Sequence, residues 1–237
     1  MTAAALGSVQ YWEDVADRTW GRYIVAAETD AITEAQAAAP PPKHALDVGC
    51  GGGRWTDLLL EHGWSVTAVD VDPEALATCA GRNPAAEPVL VDPHDETLAA
   101  ADHSVAVVVC IEVLPVTHSD WFCREASRVL VPGGRLVTVA WNRSSLRGRA
   151  AGARRRLREG RQHEHYQTSY RPWRRRLVEA GFRIEAERGL CWFPFGRASD
   201  SRLVPFCVAV ERRLGLCRLP ALSPWVLVTA VRGTTVR

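Results

Sequence analysis

Between Ala45 and Trp141 short apolar runs alternate with amphipathic stretches, and this alternation constrains the fold more than any other feature of the chain. ALDVG, SVTAVDV, PVLVD, VAVVVCI and RLVTVAW read as strands, each bounded by turn residues and rich in β-branched side chains. RWTDLLLEHG, ending in glycine, and PEALATCAGR, with proline in its first turn, read as helices between them. A short turn of helix is expected at ETLAAA. A longer helix is expected over SDWFCREASRVL, capped by Ser119, with Phe122, Ala126, Val129 and Leu130 on one face. VAVVVCI has no polar alternation, as expected of a strand covered on both sides. The pattern specifies an α/β fold, a parallel sheet wrapped by helices on both faces. Ligands of such sheets sit beyond the carboxyl ends of the strands, near the point where strand order reverses.

The flanks are less regular. Val9 to Ala39 reads as helix, with alanines and aromatics at helical spacing, and AAAPPPK breaks it as a linker. After Trp141 the alternation lapses through RSSLRGRAAGARRRLREGRQ, Arg143 to Gln162, which is dense in arginine against the single acid Glu159. A helix at PWRRRLVEAGF and strands at RIEAERGLCWF and WVLVTAV follow. The chain therefore divides into a helical cap at 1–39, a ligand-binding core at 44–142, an arginine-rich insertion at 143–170, and a C-terminal part of the sheet at 171–237.

A chain of 237 residues with a net charge of +2 gives no general electrostatic pull toward nucleic acid or anionic membranes. The seven cysteines are scattered, odd in number and without a C-x-x-C pair, which argues against a disulfide or zinc framework. No metal is expected: in RQHEHYQ, His163 and His165 do not share a helix face and lack a third ligand. MTAAALGSVQ has neither the basic start nor the apolar block of a secretory signal, so a cytoplasmic location is expected.

The first strand runs into Gly-Cys-Gly-Gly-Gly-Arg, Gly49 to Arg54. A dinucleotide fingerprint requires a third glycine where Arg54 stands. Asp47, two residues before the turn, would repel a pyrophosphate and attract a cation. Glycines let backbone approach a ligand of either charge. Asp70 ends the second strand at the spacing from which an acid takes ribose hydroxyls, each charged hydrogen bond contributing about 1.5–3 kcal/mol. Asp92 ends the third strand, where an acid can accept from an adenine amino group. Three acids at successive strand ends suit a nucleoside with a cationic tail.

LDVGCGGG, AVDVD, LVD, VVVCIEVL and LVPGGRLV together resemble the motif series of class I S-adenosylmethionine-dependent methyltransferases, over roughly Ala45 to Trp141. The resemblance is strongest to the small-molecule group that includes ubiquinone-biosynthesis O-methyltransferases. It implies a Rossmann-like, mostly parallel seven-stranded sheet whose last strand is antiparallel, and S-adenosylmethionine as cofactor. It implies Asp47, Gly49, Gly51 and Gly53 around the methionine moiety and Asp70 on the ribose. It also implies Val71 beside the adenine, Asp92 at its amino group, and Cys110 with Ile111 lining the site. The expected reaction is in-line methyl transfer to a small acceptor, O-methylation first. An NAD(P)-dependent oxidoreductase and an RNA methyltransferase are the alternatives.

The strand-four end reads CIEVLP and lacks the Asn/Asp-Pro-Pro-aromatic signature of amino-group methylation on bases. Relatives in the small-molecule group read E-V-L-x-H here, whereas in EVLPVTH the histidine, His118, arrives two residues later. His118 is the first candidate general base because imidazole titrates near neutrality, with His163 and His165 as second choices. The arginine-rich insertion reads as a solvated helix or loop, as a substrate lid, or as a surface for anionic lipid or RNA; the lid is the working expectation. Trp192, Phe193, Phe195 and Phe206 are candidates for an apolar acceptor wall, with Tyr11, Trp12 and Tyr23 placed to cover the cofactor.

Overall fold

The computed structural model describes residues 9–157 and 168–234. Seven strands form one sheet: β1 (His44–Val48), β2 (Ser65–Asp70), β3 (Glu87–Leu90), β4 (Val105–Cys110), β5 (Leu130–Trp141), β6 (Phe182–Leu190) and β7 (Trp225–Arg232). Their order is β3-β2-β1-β4-β5-β7-β6. β1 to β5 pair in parallel, while β7 runs antiparallel to both β5 and β6. The order reverses between β1 and β4, which opens a crevice at their carboxyl ends.

Helices cover both faces. α2 (Thr19–Ala38), α3 (Arg54–Glu61) and α9 (Val204–Arg213) bury Ile24, Ile32, Leu59 and Val208 against Val109, Val139 and Leu227 on one side. On the other side, α6 (Phe122–Val129) and α8 (Tyr170–Glu179) bury Phe122, Val129, Trp173 and Leu177 against Val108, Leu136 and Val228. Val105 to Cys110 are buried without exception, so β4 is the spine of the sheet. α4 (Pro73–Arg82) starts at Pro73, and the Asp72 side chain accepts from the Glu74 amide at 2.9 Å.

Four expectations needed revision. The N-terminal helix is two helices, α1 (Val9–Ala16) and α2, because the chain turns where Gly21 packs on Val15; a Cβ there would lie 1.8 Å from the Val15 carbonyl oxygen. ETLAAA is not helical: the Leu98 amide donates to Glu125, and Arg128 donates to the Leu98 and Ala100 carbonyls, taking the groups a helix would pair internally. The helix expected from Ser119 begins at Phe122, whose amide donates to the Ser119 hydroxyl at 3.2 Å, and a short α5 (Leu114–Thr117) precedes it. The strand expected at RLVTVAW starts five residues earlier, at Leu130, and takes in VPGG, where the β4 register shifts between Val105 and Val107. α7 (Leu146–Leu157) carries the start of the arginine-rich insertion, and α9 is a helix the aromatic, proline-rich tail did not announce.

Candidate functional site

A cavity of about 310 Å³ lies at the carboxyl ends of β1, β2 and β4, beneath α1 and α2. One end is built by the glycine turn. Gly51 has φ +52, a conformation that side chains other than glycine rarely hold, and a Cβ there would meet nothing within 4 Å. Its backbone therefore faces open space on the cavity wall. Gly49 is also left-handed, at φ +70, and a Cβ would strike Val113 Cγ2 at 2.3 Å. The turn thus seats directly on the segment that follows β4.

Four amides of this turn have protein acceptors. Gly49 and Cys50 donate to the Val69 carbonyl at 2.7 and 3.0 Å, and Gly53 donates to the Cys50 carbonyl at 2.9 Å. Gly51 donates to Asp70 Oδ2 at 2.9 Å, and Asp70 Oδ1 accepts the Asp72 amide at 3.0 Å. An anion cradle needs such amides turned toward the ligand. Here they hold an acid in place instead, and Asp70 and Asp72 both border the cavity.

The other end was not anticipated. Glu28 from α2 is only 3% exposed and lines the cavity, and its Oε1 has no hydrogen-bond partner among the described residues. Glu112, directly after β4, adopts φ +62, strained for a residue with a Cβ, and pairs with Arg197 at 2.7 Å. The Arg197 guanidinium lies 4.5 Å from the Trp12 ring centroid, 5.0 Å from Trp141 and 5.2 Å from Trp225. Arg54 pairs with Glu13 at 3.1 Å. Burial, and then the Glu112 charge, push the Glu28 carboxyl well above its ordinary range, against the pull of Arg54 and Arg197. Burial also raises Glu112, which the Arg197 contact offsets in part.

The expected site residues separate into groups. Gly49, Gly51, Asp70 and Ile111 line the cavity. Asp47 and Gly53 stand behind it. Asp47 is 1% exposed and accepts from the Thr56 hydroxyl at 2.7 Å; burial first of all pushes its carboxyl up to about 7. Gly53 caps α3 at φ +83. Val71 and Asp92 border a neighbouring cavity of about 280 Å³, which shares Pro115 with the first. Cys110 is fully buried beside Thr117 Oγ1 at 3.5 Å, on neither wall, and its thiol is raised by burial to about 12.

His118, the first candidate general base, is placed away from these walls: it ends α5 and borders neither cavity. Trp173 Nε1 donates to the Thr117 carbonyl at 2.8 Å, and Arg176 donates to the His118 carbonyl at 3.4 Å, drawing this turn toward α8. His163 and His165 lie outside the described residues. Of the insertion, Arg147 donates to the Phe195 carbonyl at 3.0 Å. Trp192, Phe193, Phe195 and Phe206 are absent from both walls; Phe195 packs on Trp20 and Phe206 is 67% exposed. Trp12, Trp20 and Trp225 supply the aromatic wall instead.

Residues 46–138 match the family described as a methyltransferase domain. This segment is similar to methyltransferase domains, and the sheet order is that of the class I methyltransferase fold. Among curated relatives, the chain is 33% identical over 106 residues to a 2-methyl-6-phytyl-1,4-hydroquinone methyltransferase of Synechocystis, covering 44% of this chain and 33% of that protein. It is 32% identical over 105 residues to a ubiquinone biosynthesis O-methyltransferase of Caulobacter, covering 42% and 41%. The match therefore spans less than half the length of these relatives. In fold, it is similar to a geranyl diphosphate C-methyltransferase of Streptomyces coelicolor, solved with Mg2+, geranyl diphosphate and S-adenosyl-L-homocysteine. That likeness has a TM-score of 0.62 and 17% identity, over 89% of this chain and 80% of the other.

Proposed function

We propose that the protein is an S-adenosylmethionine-dependent methyltransferase acting on a small-molecule acceptor, with oxygen the atom methylated. The observation that carries this reading is the glycine turn. It opens onto the cavity at Gly51, yet the amides of Gly49, Cys50, Gly51 and Gly53 are given to protein acceptors and the rim holds Asp70 and Asp72. Such an edge suits a cationic sulfonium and its amino-acid tail and disfavours a diphosphate, which argues against the dinucleotide alternative. Asp70 is held by two backbone amides in a position to take ribose hydroxyls. Val71 and Asp92, across Pro115, are proposed for the adenine, and Ile111 for the wall beside the methionine moiety. Asp47, Gly53 and Cys110 are proposed to support these groups from behind.

The bound cofactor would supply an electrophilic methyl group. The chain itself would align the acceptor and exclude water, and orientation of this kind can remove about 7–11 kcal/mol of a barrier. The α1–α2 roof and the tryptophan wall supply the exclusion. The hydroquinone and ubiquinone names of the curated relatives support a hydroxylated acceptor. Calorimetric titration of the purified chain with S-adenosylhomocysteine and with NAD tests the reading. Binding of the first alone is expected; binding of NAD alone would overturn it.

A further inference from the structure

We propose that the tryptophan-walled end of the cavity is an acceptor subsite for a small, flat, uncharged hydroxyl compound, and that Glu28 receives the proton this hydroxyl gives up. The proposal rests on the methyltransferase reading above and defines the end of the cavity which that reading leaves unassigned.

Charge is the first argument. Arg197 is paired with Glu112 at 2.7 Å and Arg54 with Glu13 at 3.1 Å. That leaves Glu28, buried, with Oε1 unpartnered among the described residues. An ionised carboxylate in that state is costly, and the like charge of Glu112 adds to the cost. Held as the neutral acid, Glu28 closes this end with its charges balanced. A carboxylate ligand would bring an unmatched negative charge beside Glu28 and Glu112, whereas a neutral hydroxyl can hydrogen-bond the Glu28 carboxyl without adding charge.

Shape is the second argument. Trp12, Trp20 and Trp225 line this end, and Arg197 is stacked between Trp12 and Trp225 rather than free to follow an anion. Flat rings favour a flat guest, at about 0.5–1.5 kcal/mol per aromatic pair beyond area burial. Position is the third. Ile111 and Glu112 directly follow β4, whose next residue, Val113, is the one a Gly49 Cβ would strike at 2.3 Å. The two ends of the cavity therefore adjoin at this strand tip.

The step balances as follows. The acceptor O–H bond breaks and its proton passes to the Glu28 carboxylate. The oxygen's electron pair forms the new bond to the methyl carbon, while the carbon–sulfur bond of the sulfonium donor breaks with its pair retained by sulfur. Glu28 must be ionised to act, and a cation in the same cavity favours that form. The charged groups acting on Glu28 are Glu112, Arg54 and Arg197. A raised carboxyl that must lose its proton gives a rate that climbs with pH.

Two measurements test this. Saturation-transfer NMR with phenol and benzoate compares neutral and anionic ligands of similar size on the full chain. Phenol is expected to bind about tenfold or more tightly than benzoate; benzoate binding as well as phenol overturns the subsite. Glu28→Gln is expected to slow methylation of a phenolic acceptor by roughly 100-fold and to abolish the climb with pH. Glu28→Asp, still a carboxylate, is expected to keep that climb. Wild-type rate and pH profile in Glu28→Gln, with its fold verified by thermal unfolding, overturns the role of Glu28. Failure of S-adenosylhomocysteine to bind the wild-type chain would strike the methyltransferase reading alone, because the ligand ranking remains measurable without it.

Discussion

Asp47 offers a prediction whose size follows from the structure. Its carboxyl is sealed beneath the glycine turn, accepts from the Thr56 hydroxyl, and is raised by burial to about 7 from an ordinary 3.8. The folded state then holds a proton that the unfolded chain releases across a window of about three pH units. At 1.36 kcal/mol per unit, the contribution is about 4 kcal/mol. Its sign is set by the direction of the shift: the stabilisation is complete below about pH 4, is lost as pH rises toward about 7, and changes no further above that. Asp47→Asn keeps an oxygen for Thr56 and removes the titration. Urea unfolding of wild type and Asp47→Asn at a series of pH values isolates the effect. The buried amide's own cost of roughly 1–3 kcal/mol is constant with pH and drops out of the comparison. Wild-type stability minus that of Asp47→Asn is expected to fall by about 4 kcal/mol across the window. Parallel curves, agreeing within about 1 kcal/mol at every pH, would refute the assignment of a protonated Asp47.

Gly53→Ala and Gly51→Ala place the same methyl on left-handed backbone in different surroundings. At Gly53 it would lie 2.3 Å from Asn83 Nδ2 and 2.8 Å from Cys79 Sγ, so denaturant unfolding should show a loss of about 2–4 kcal/mol. At Gly51 it meets only the cavity, so a stability loss of about 1–2 kcal/mol is expected, together with roughly tenfold weaker S-adenosylhomocysteine binding by calorimetry. His118→Asn is expected to lower kcat by less than about tenfold; a loss of 100-fold or more, the signature of a missing general base, would return the histidine to the reaction.

What was legible in the sequence is what local spacing encodes. The apolar runs of β1, β2 and β4, Pro73 at the start of α4 and the glycines between β1 and α3 announce themselves within a few residues. Asp70 was legible for the same reason, since a strand end and its register determine where its side chain falls. ETLAAA was misread because the partners that unwind it, Glu125 and Arg128, belong to a distant helix. The placement of His118 was not legible, because the direction of its turn depends on Trp173 and Arg176 of α8.

The acceptor end was illegible for a deeper reason. Glu28 lies mid-helix, Glu112 follows a strand and Arg197 sits in an irregular stretch; none belongs to a short motif, and only the tertiary fold brings them to one wall. That difference matches the division of labour across the cavity. The end proposed for the cofactor is built from one βαβ unit, with acids at strand tips and a glycine turn. The end proposed for the acceptor is assembled from helix, strand tip and loop, so its chemistry could change without disturbing the first. Its state is then coupled to the first through charge. The rim holding Asp70 and Asp72 would attract a cation, and a cation in the cavity would favour the ionised form of Glu28, one of the buried carboxyls, with Asp47, held above the ordinary carboxylate range. Cofactor binding should therefore release a proton. Calorimetry of S-adenosylmethionine binding in buffers of differing ionisation enthalpy would read that release, and it should shrink in Glu28→Gln; equal release in both would separate the two ends of the cavity electrostatically.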